Sequence, residues 1–244
     1  MDRQVSKKIS SVSAVFPAYN DAATIADMVQ AALRALRQVT DDYEVIVTND
    51  GSSDHTAAVL EELRQRIPEL RVIHHPHNRG YGAALRSGFD AATRDWVFYT
   101  DGDAQYDPLE LVDLVAALDE GVDVVNGYKI ARSDPWIRRI IGRMYHFMVT
   151  RAFGIHIRDV DCDFRLMRRD ALMKIKLESD SGSICVELVK KLQDRGYVFT
   201  EIPVHHYQRP HGRSQFFNFK HIFNVARQLI GLYRRLVINR EHLR

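Results

Sequence analysis

Apolar positions in the first half of the chain alternate between two rhythms. Short, nearly unbroken apolar runs fill residues 11–16, 43–48 (YEVIVT), 70–74, 95–100 (DWVFYT) and 122–126, and each reads as a buried strand. Between them the spacing turns helical. Within 21–39, Ile25, Met28, Val29, Ala32, Leu33 and Leu36 make one stripe. Further helices are predicted at 54–66, capped by Asp54 with Pro68 just beyond; at 80–93, with Asn78 as cap; and at 108–118. The second half predicts helices at 136–153, 187–195 and 216–237, and strands at 197–204 and 205–208. Strands alternating with helices predict an α/β fold, a mainly parallel sheet with helices on both faces.

Such sheets bind ligands beyond the carboxyl ends of their strands. Three polar loops fall at that edge: Tyr19-Asn20-Asp21 after the first strand, Asn49-Asp50-Gly51-Ser52 after the second, and Asp101-Gly102-Asp103 after the fourth. Two carboxylates one residue apart at a strand end can share a cleft. With the Gln105 amide oxygen they form a hard-oxygen set suited to Mg²⁺ or Mn²⁺ shared with a diphosphate. Such an ion stabilises a departing nucleoside diphosphate as a Lewis acid.

Composition narrows the partners. The chain has 244 residues and a formal net charge of +2. That suits one α/β domain or a domain with a short appendage, and with no nucleic-acid motif it argues against a nucleic-acid binder. Two cysteines, Cys162 and Cys185, suggest no disulfide framework and a reduced, cytoplasmic setting. The N-terminal segment has no secretory h-region, and no apolar stretch of about 20 residues is present to span a bilayer. His74, His75 and His77, around Pro76, read as surface histidines. His205 and His206 are functional candidates because Arg209 is near. Residues 78–84 (NRGYGAA) lack the Lys-Ser/Thr of a P-loop, so their glycines read as a tight helix entry. No Ser-His-Asp pattern or Cys–His zinc spacing stands out.

Taken in order, several segments resemble family 2 glycosyltransferases of the GT-A fold, in their dolichol-phosphate mannose synthase-like branch. These are residues 16–21 (FPAYND), 49–54 (NDGSSD), 78–84 (NRGYGAA), 101–108 (DGDAQYDP), 161–165 (DCDFR), 201–204 (EIPV) and 209–214 (RPHGRS). The resemblance implies a catalytic domain over 12–215, after a tail at 1–11 and before a C-terminal amphipathic helix at 216–244. It implies that Pro17, Tyr19 and Asp21 line the nucleotide pocket, that Asp50 binds the base with Thr48 beside it, and that Gly102 belongs to the donor site. Asp101 and Asp103 would face the diphosphate and a Mg²⁺ or Mn²⁺ ion, Gln105 would add a metal ligand, and Arg209 would reach the diphosphate. The chain departs from the family pattern with Asp21 where Glu is frequent, Gln215 where Lys is usual, and Asp163 where Gly is common.

The implied reaction moves a hexosyl group from a GDP- or UDP-sugar to an acceptor, with inversion. A hydroxyl acceptor needs a general base, whereas a lipid phosphate is already anionic and needs cations. Lys129, Arg132, Arg138, Arg139 and Arg143 supply cations, with Arg132 and Arg139 as expected contacts to a polyprenyl phosphate. Asp161 and Asp163 are the base candidates for a hydroxyl on a glycan or soluble acceptor; they could instead orient Arg165 or the arginines. Helices 136–153 and 216–237 mix aromatic, aliphatic and basic residues, as helices at an anionic bilayer surface do. The expectation is a peripheral protein at the cytoplasmic face of the membrane, with packing on the domain, or self-association through the C-terminal helix, as the competing use of those faces.

Overall fold

Six strands of the central sheet run parallel and one runs against them. In the computed structural model, which describes residues 7–130, 136–209 and 219–243, the strands are β1 (Val12–Ala18), β2 (Tyr43–Asn49), β3 (Leu70–His74), β4 (Trp96–Thr100), β5 (Val124–Ile130), β6 (Phe164–Arg168) and β7 (Phe199–His205). Their spatial order is β3-β2-β1-β4-β6-β5-β7. Only β6 is antiparallel to its neighbours, pairing Thr100 with Phe164 on β4 and Val125 with Leu166 on β5. The carboxyl ends of all six parallel strands, and the amino end of β6, therefore share one edge.

Side chains alternate across the sheet, so each strand feeds two cores. Phe16, Val47, Phe98, Phe164 and Val125 point to one face with α1 (Ile25–Val39), α2 (Thr56–Arg66) and α4 (Leu111–Ala116). Phe98 and Phe164 meet edge-on at 4.9 Å across the antiparallel pair. Val15, Ile46, Val97, Val124 and Met167 point to the other face, beneath α3 (Tyr81–Ala91), α6 (Arg169–Met173) and α7 (Ile184–Asp194). Burying such a side chain contributes about 1.5–3 kcal/mol, so β6 is held by both cores.

A third core joins α5 (Trp136–Phe153), α7 and α8 (Phe219–Tyr233) through Val149, Phe153, Val186, Val189, Leu232 and, in the π-helical turn after α8, Leu236. The C-terminal helix thus packs on the domain along one side. Ser181 Oγ donates to Gln228 Oε1, and Arg235 pairs with Glu178 at 2.6 Å. The boundary expected at 215/216 lies outside the described residues. On the N-terminal side, Ile9 N–H donates to Val39 O at 2.9 Å. Among the described residues, no helix is long and apolar enough to cross a membrane.

The pattern-based elements need four corrections. The first helix starts at Ile25, because residues 21–24 form a turn in which the Asp21 carbonyl accepts from Thr24 and Ile25 N–H. Gly80, not Asn78, occupies the cap position of α3; at φ 99° a Cβ there would lie 2.3 Å from Asp180 O, so the close approach requires glycine. The strand expected at 205–208 ends at His205, where the pairing with β5 runs out at Ile130. Strand β6 and helix α6 are not predicted by the apolar pattern.

Candidate active site

The loops after β1 and β2 are laced into one unit. Asn20 adopts φ 57°, which Asn tolerates better than most residues. Its N–H donates to Ser52 Oγ (3.0 Å), and its side-chain oxygen accepts from Ser53 N–H (2.8 Å). Asp21 N–H donates to Thr56 Oγ1 (2.9 Å), and Ala22 N–H to Asp54 Oδ2 (3.2 Å). Asp54 also accepts from Thr56 N–H at 2.9 Å, holding the start of α2 although His55 sits in the cap position.

Asp50, buried at the end of β2, ties this unit to α3. Its Oδ1 accepts from His75 Nδ1–H (2.6 Å) and Arg79 N–H (2.9 Å), and its Oδ2 from Gly80 N–H (2.9 Å). Nε2 of His75 meets Ser87 Oγ at 2.9 Å. His75 is therefore not a surface histidine, as the sequence reading held; at 6% exposure it is part of the scaffold. It also sets Ser87, His75 and Asp50 in a row that the sequence spacing did not reveal. Thr48 is wholly buried, with its hydroxyl beside Gly88 of α3, so its side chain is not among the groups these loops present. Pro17 is buried as well, while Tyr19 is 43% exposed.

The acidic loop after β4 faces these residues. Thr24 Oγ1 donates to Gly102 O (2.8 Å), and a Cβ on Gly102 would press on Ile25 (3.0 Å) and the Pro17 carbonyl (3.2 Å). Tyr81 donates its hydroxyl to Asp101 Oδ1 at 2.8 Å. Continuing the β4–β6 register past Thr100–Phe164 sets Asp101 opposite Asp163. Burial, then Asp163, then Asp103 push the Asp101 carboxyl well above the ordinary range, against the Tyr81 hydroxyl. Asp21 is pushed up to about 6, first by burial and also by Asp103 and Asp54, with the Tyr19 N–H and Arg209 opposing.

Crowded, desolvated carboxylates of this kind are the chemistry a hard divalent cation relieves. Among the described residues no group of three His, Cys, Asp or Glu side chains is placed to hold an ion. Asp101 and Asp103 would fit Mg²⁺ or Mn²⁺ as a partial shell, leaving the other positions to substrate phosphates and water. The Gln105 amide nitrogen donates to Tyr207 O (3.2 Å), which anchors the side chain through Nε2 rather than through the oxygen expected to ligate the ion.

From His205 at the end of β7, the chain runs on to Arg209 as a strap over the acidic loop. Tyr207 N–H donates to Gln105 O (2.9 Å), and buried Glu110 accepts from His205 N–H (3.0 Å) and His205 Nδ1 (2.7 Å). The rings of Tyr106 and His206 meet edge-on. At the end of the strap Arg209 donates Nε–H (3.1 Å) and an Nη2–H to the same oxygen, Asp103 Oδ2, while Asp103 Oδ1 accepts from Gln105 N–H (3.0 Å).

The other side of the cleft is built around a buried cation. Tyr99, Arg165 and Asn126 lie abreast on β4, β6 and β5. The Arg165 guanidinium, fully buried, donates to Tyr99 Oη, Asn126 Oδ1 and Val160 O. Asn126 Nδ2 donates in turn to Asp159 O (3.2 Å). At the end of β5, Lys129 Nζ donates to Asp161 O (2.5 Å) and lies 3.7 Å from Asp159 Oδ1. Asp161 is pushed up to about 6, chiefly by burial, with Lys129 pulling it down and Asp159 and Asp163 raising it. Cys185 donates its thiol hydrogen to Asp163 Oδ1 (3.0 Å).

The structure thus gathers Asp21, Asp101, Asp103 and Arg209 with Asp163 and Lys129, which the sequence marks for the acceptor side, and adds Tyr81 to them. Asp163 could have been placed from sequence had residues 164–168 been read as a strand. Of the arginines expected at the acceptor phosphate, Arg132 lies outside the described residues; Arg139 lies in α5 and its side chain is outside the description.

Comparisons with known proteins agree with this architecture. Over 226 residues the chain is 33% identical to an undecaprenyl-phosphate 4-deoxy-4-formamido-L-arabinose transferase of Proteus mirabilis (strain HI4320), covering 92% of this chain and 68% of that protein. With the protein of the same description from Edwardsiella ictaluri (strain 93-146) it shares 34% identity over 212 residues, 86% of this chain and 64% of the relative. Its fold matches glucosyl-3-phosphoglycerate synthase from Mycobacterium tuberculosis in complex with phosphoglyceric acid, with a TM-score of 0.70, 20% identity, and 92% and 79% of the two chains covered. The same synthase in complex with Mn²⁺, uridine diphosphate and glucosyl-3-phosphoglycerate aligns with a TM-score of 0.68, 20% identity, and 90% and 77% of the two chains covered. The family model for glycosyl transferase family 2 matches residues 13–176, more than half of the chain, and the chain belongs to that family.

Proposed function

We propose that this glycosyltransferase moves a sugar from a nucleoside-diphosphate donor to a polyprenyl phosphate, inverting the anomeric carbon in one displacement. The observation that carries the acceptor assignment is the identity of 33% and 34%, over most of this chain, with two transferases named for undecaprenyl phosphate. The donor enters over the laced loops of β1 and β2, with Tyr19, Asp21 and Asp50 around the nucleoside and Arg209 on the diphosphate. Asp101 and Asp103 hold Mg²⁺ or Mn²⁺, which when bound neutralises charge on the leaving diphosphate. Tyr81 keeps Asp101 turned into the cleft, and Lys129, with Arg132 and Arg139, draws the acceptor phosphate to the opposite side. An anionic phosphate attacks without first losing a proton, so Asp161 and Asp163 shape this side rather than act as bases.

The lipid approaches from the α5 face. Met144, Phe147 and Met148 are 59%, 68% and 58% exposed and share a stripe with exposed Arg151. That mixture suits the boundary between headgroups and acyl chains. Product from radiolabelled donor is expected to partition into organic solvent and to be cleaved by mild acid. Water-soluble, acid-stable product would instead assign a hydroxyl acceptor. Phe147→Glu is expected to abolish sedimentation with phosphatidylglycerol vesicles. Unchanged sedimentation, or a concentration-dependent dimer that the substitution dissolves, would assign the stripe to other contacts.

A further inference from the structure

Arg209 spends its guanidinium on the oxygen that a metal ion needs. Both of its hydrogen bonds go to Asp103 Oδ2, and Oδ1 is already engaged with Gln105 N–H. Asp103 is 5% exposed at its side chain, so few approaches remain; Arg209 is 35% exposed and can swing out without breaking a core. The backbone that carries it stays fixed, because Gln105 and Glu110 hold Tyr207 and His205.

We propose that Arg209 is a metal-displaced latch. It guards Asp103 until a divalent cation takes Oδ2, and the freed guanidinium then turns to the donor diphosphate. This deepens the donor-site reading above and rests on it. A ligand that must first displace a competing group loses apparent affinity by the fraction of molecules in the open state. The cation alone is therefore held back, whereas cation and diphosphate together satisfy both Asp103 and Arg209. By linkage, the factor by which nucleotide tightens the metal equals the factor by which metal tightens the nucleotide. The latch thus makes binding of the two ligands cooperative and limits loading of the site with metal alone.

Free Mn²⁺ can be counted by electron paramagnetic resonance in titrations of the full chain, with and without uridine diphosphate. For Arg209→Gln the expected result is Mn²⁺ binding about five- to tenfold tighter than wild type without nucleotide, and a smaller enhancement on adding nucleotide. Arg209→Lys, which keeps the charge but loses the fork, is expected to fall between. Unchanged or weaker Mn²⁺ binding by Arg209→Gln, in protein with wild-type circular dichroism, would overturn the latch while leaving the donor site standing. If wild type bound no Mn²⁺ even with uridine diphosphate, the donor-site reading would fall and the latch with it.

Discussion

The two walls of the cleft are built on opposite principles. On the β1–β2 side, loop is bound to loop by backbone N–H groups and short polar side chains, with Asn20, Asp50 and Asp54 each accepting several hydrogen bonds. Such a wall keeps its shape through many small contacts, most of them between residues 25 to 34 positions apart, with no single organising group. On the β5–β6 side, the organising group is one buried guanidinium whose partners come from three separate places: Tyr99, Asn126 and Val160. A wall of that kind depends on the sheet being assembled first. The comparison teaches that nucleotide binding and acceptor binding should fail separately under mutation.

The sharpest break lies where the walls meet. Asp103→Ala removes the carboxylate that holds Arg209 and that we propose as a cation ligand, and turnover is expected to fall by about a thousandfold or more. Circular dichroism should remain that of wild type, and retained turnover would remove the metal assignment. Next in size, Arg165→Met leaves Tyr99, Asn126 and Val160 without their donor. It should cost about 3 kcal/mol in urea denaturation, and in the surviving protein raise the acceptor KM while leaving the donor KM near wild type. Equal loss on both substrates would refute the division of the two walls.

A smaller effect is expected on the donor wall. His75→Ala takes one of three donors from Asp50, and should raise the donor KM by about tenfold with kcat little changed. His75→Asn, which can still donate, should recover part of that loss. The least effect concerns stability against pH. Asp161 has its carboxyl raised from 3.8 to about 6 in the fold, so the native state binds the extra proton between those values. Stability from this group is therefore lost as pH rises through that window. Asp161→Asn should stabilise the protein by about 1 kcal/mol at pH 7, and the gain should shrink as pH falls through the window and vanish by about pH 3, where the carboxyl is neutral both folded and unfolded. Thermal melts at the two pH values measure it.

The same contrast explains what could be read from the chain. Strands β1 to β4 and their polar ends were legible because each follows an apolar run and each loop carries its own signature. Asp101 and Asp103 needed only their position after β4. Strand β6 was not legible: five residues, FRLMR, inserted antiparallel between β4 and β5, give too short a period to register. Without it, neither the facing of Asp163 and Asp101 nor the row of Tyr99, Arg165 and Asn126 could be foreseen. His75 reads as one of three loop histidines, and Asp50, 25 residues earlier, with Ser87, 12 residues later, makes it internal. The hold of Arg209 on Asp103 spans 106 residues, a distance over which sequence periodicity carries no information.

The ladder between β4 and β6 has five rungs, from Trp96–Arg168 to Thr100–Phe164. A slip of one place would turn each side chain of β6 to the opposite layer. Arg165 would be driven in among Phe98 and Val125, and a phenyl ring would stand where a carboxylate now confronts Asp101. Insertions or deletions within residues 159–163 are thus the lesions this enzyme should tolerate least. Homologues that differ in acceptor would then be expected to vary in length elsewhere and to keep this short stretch in step.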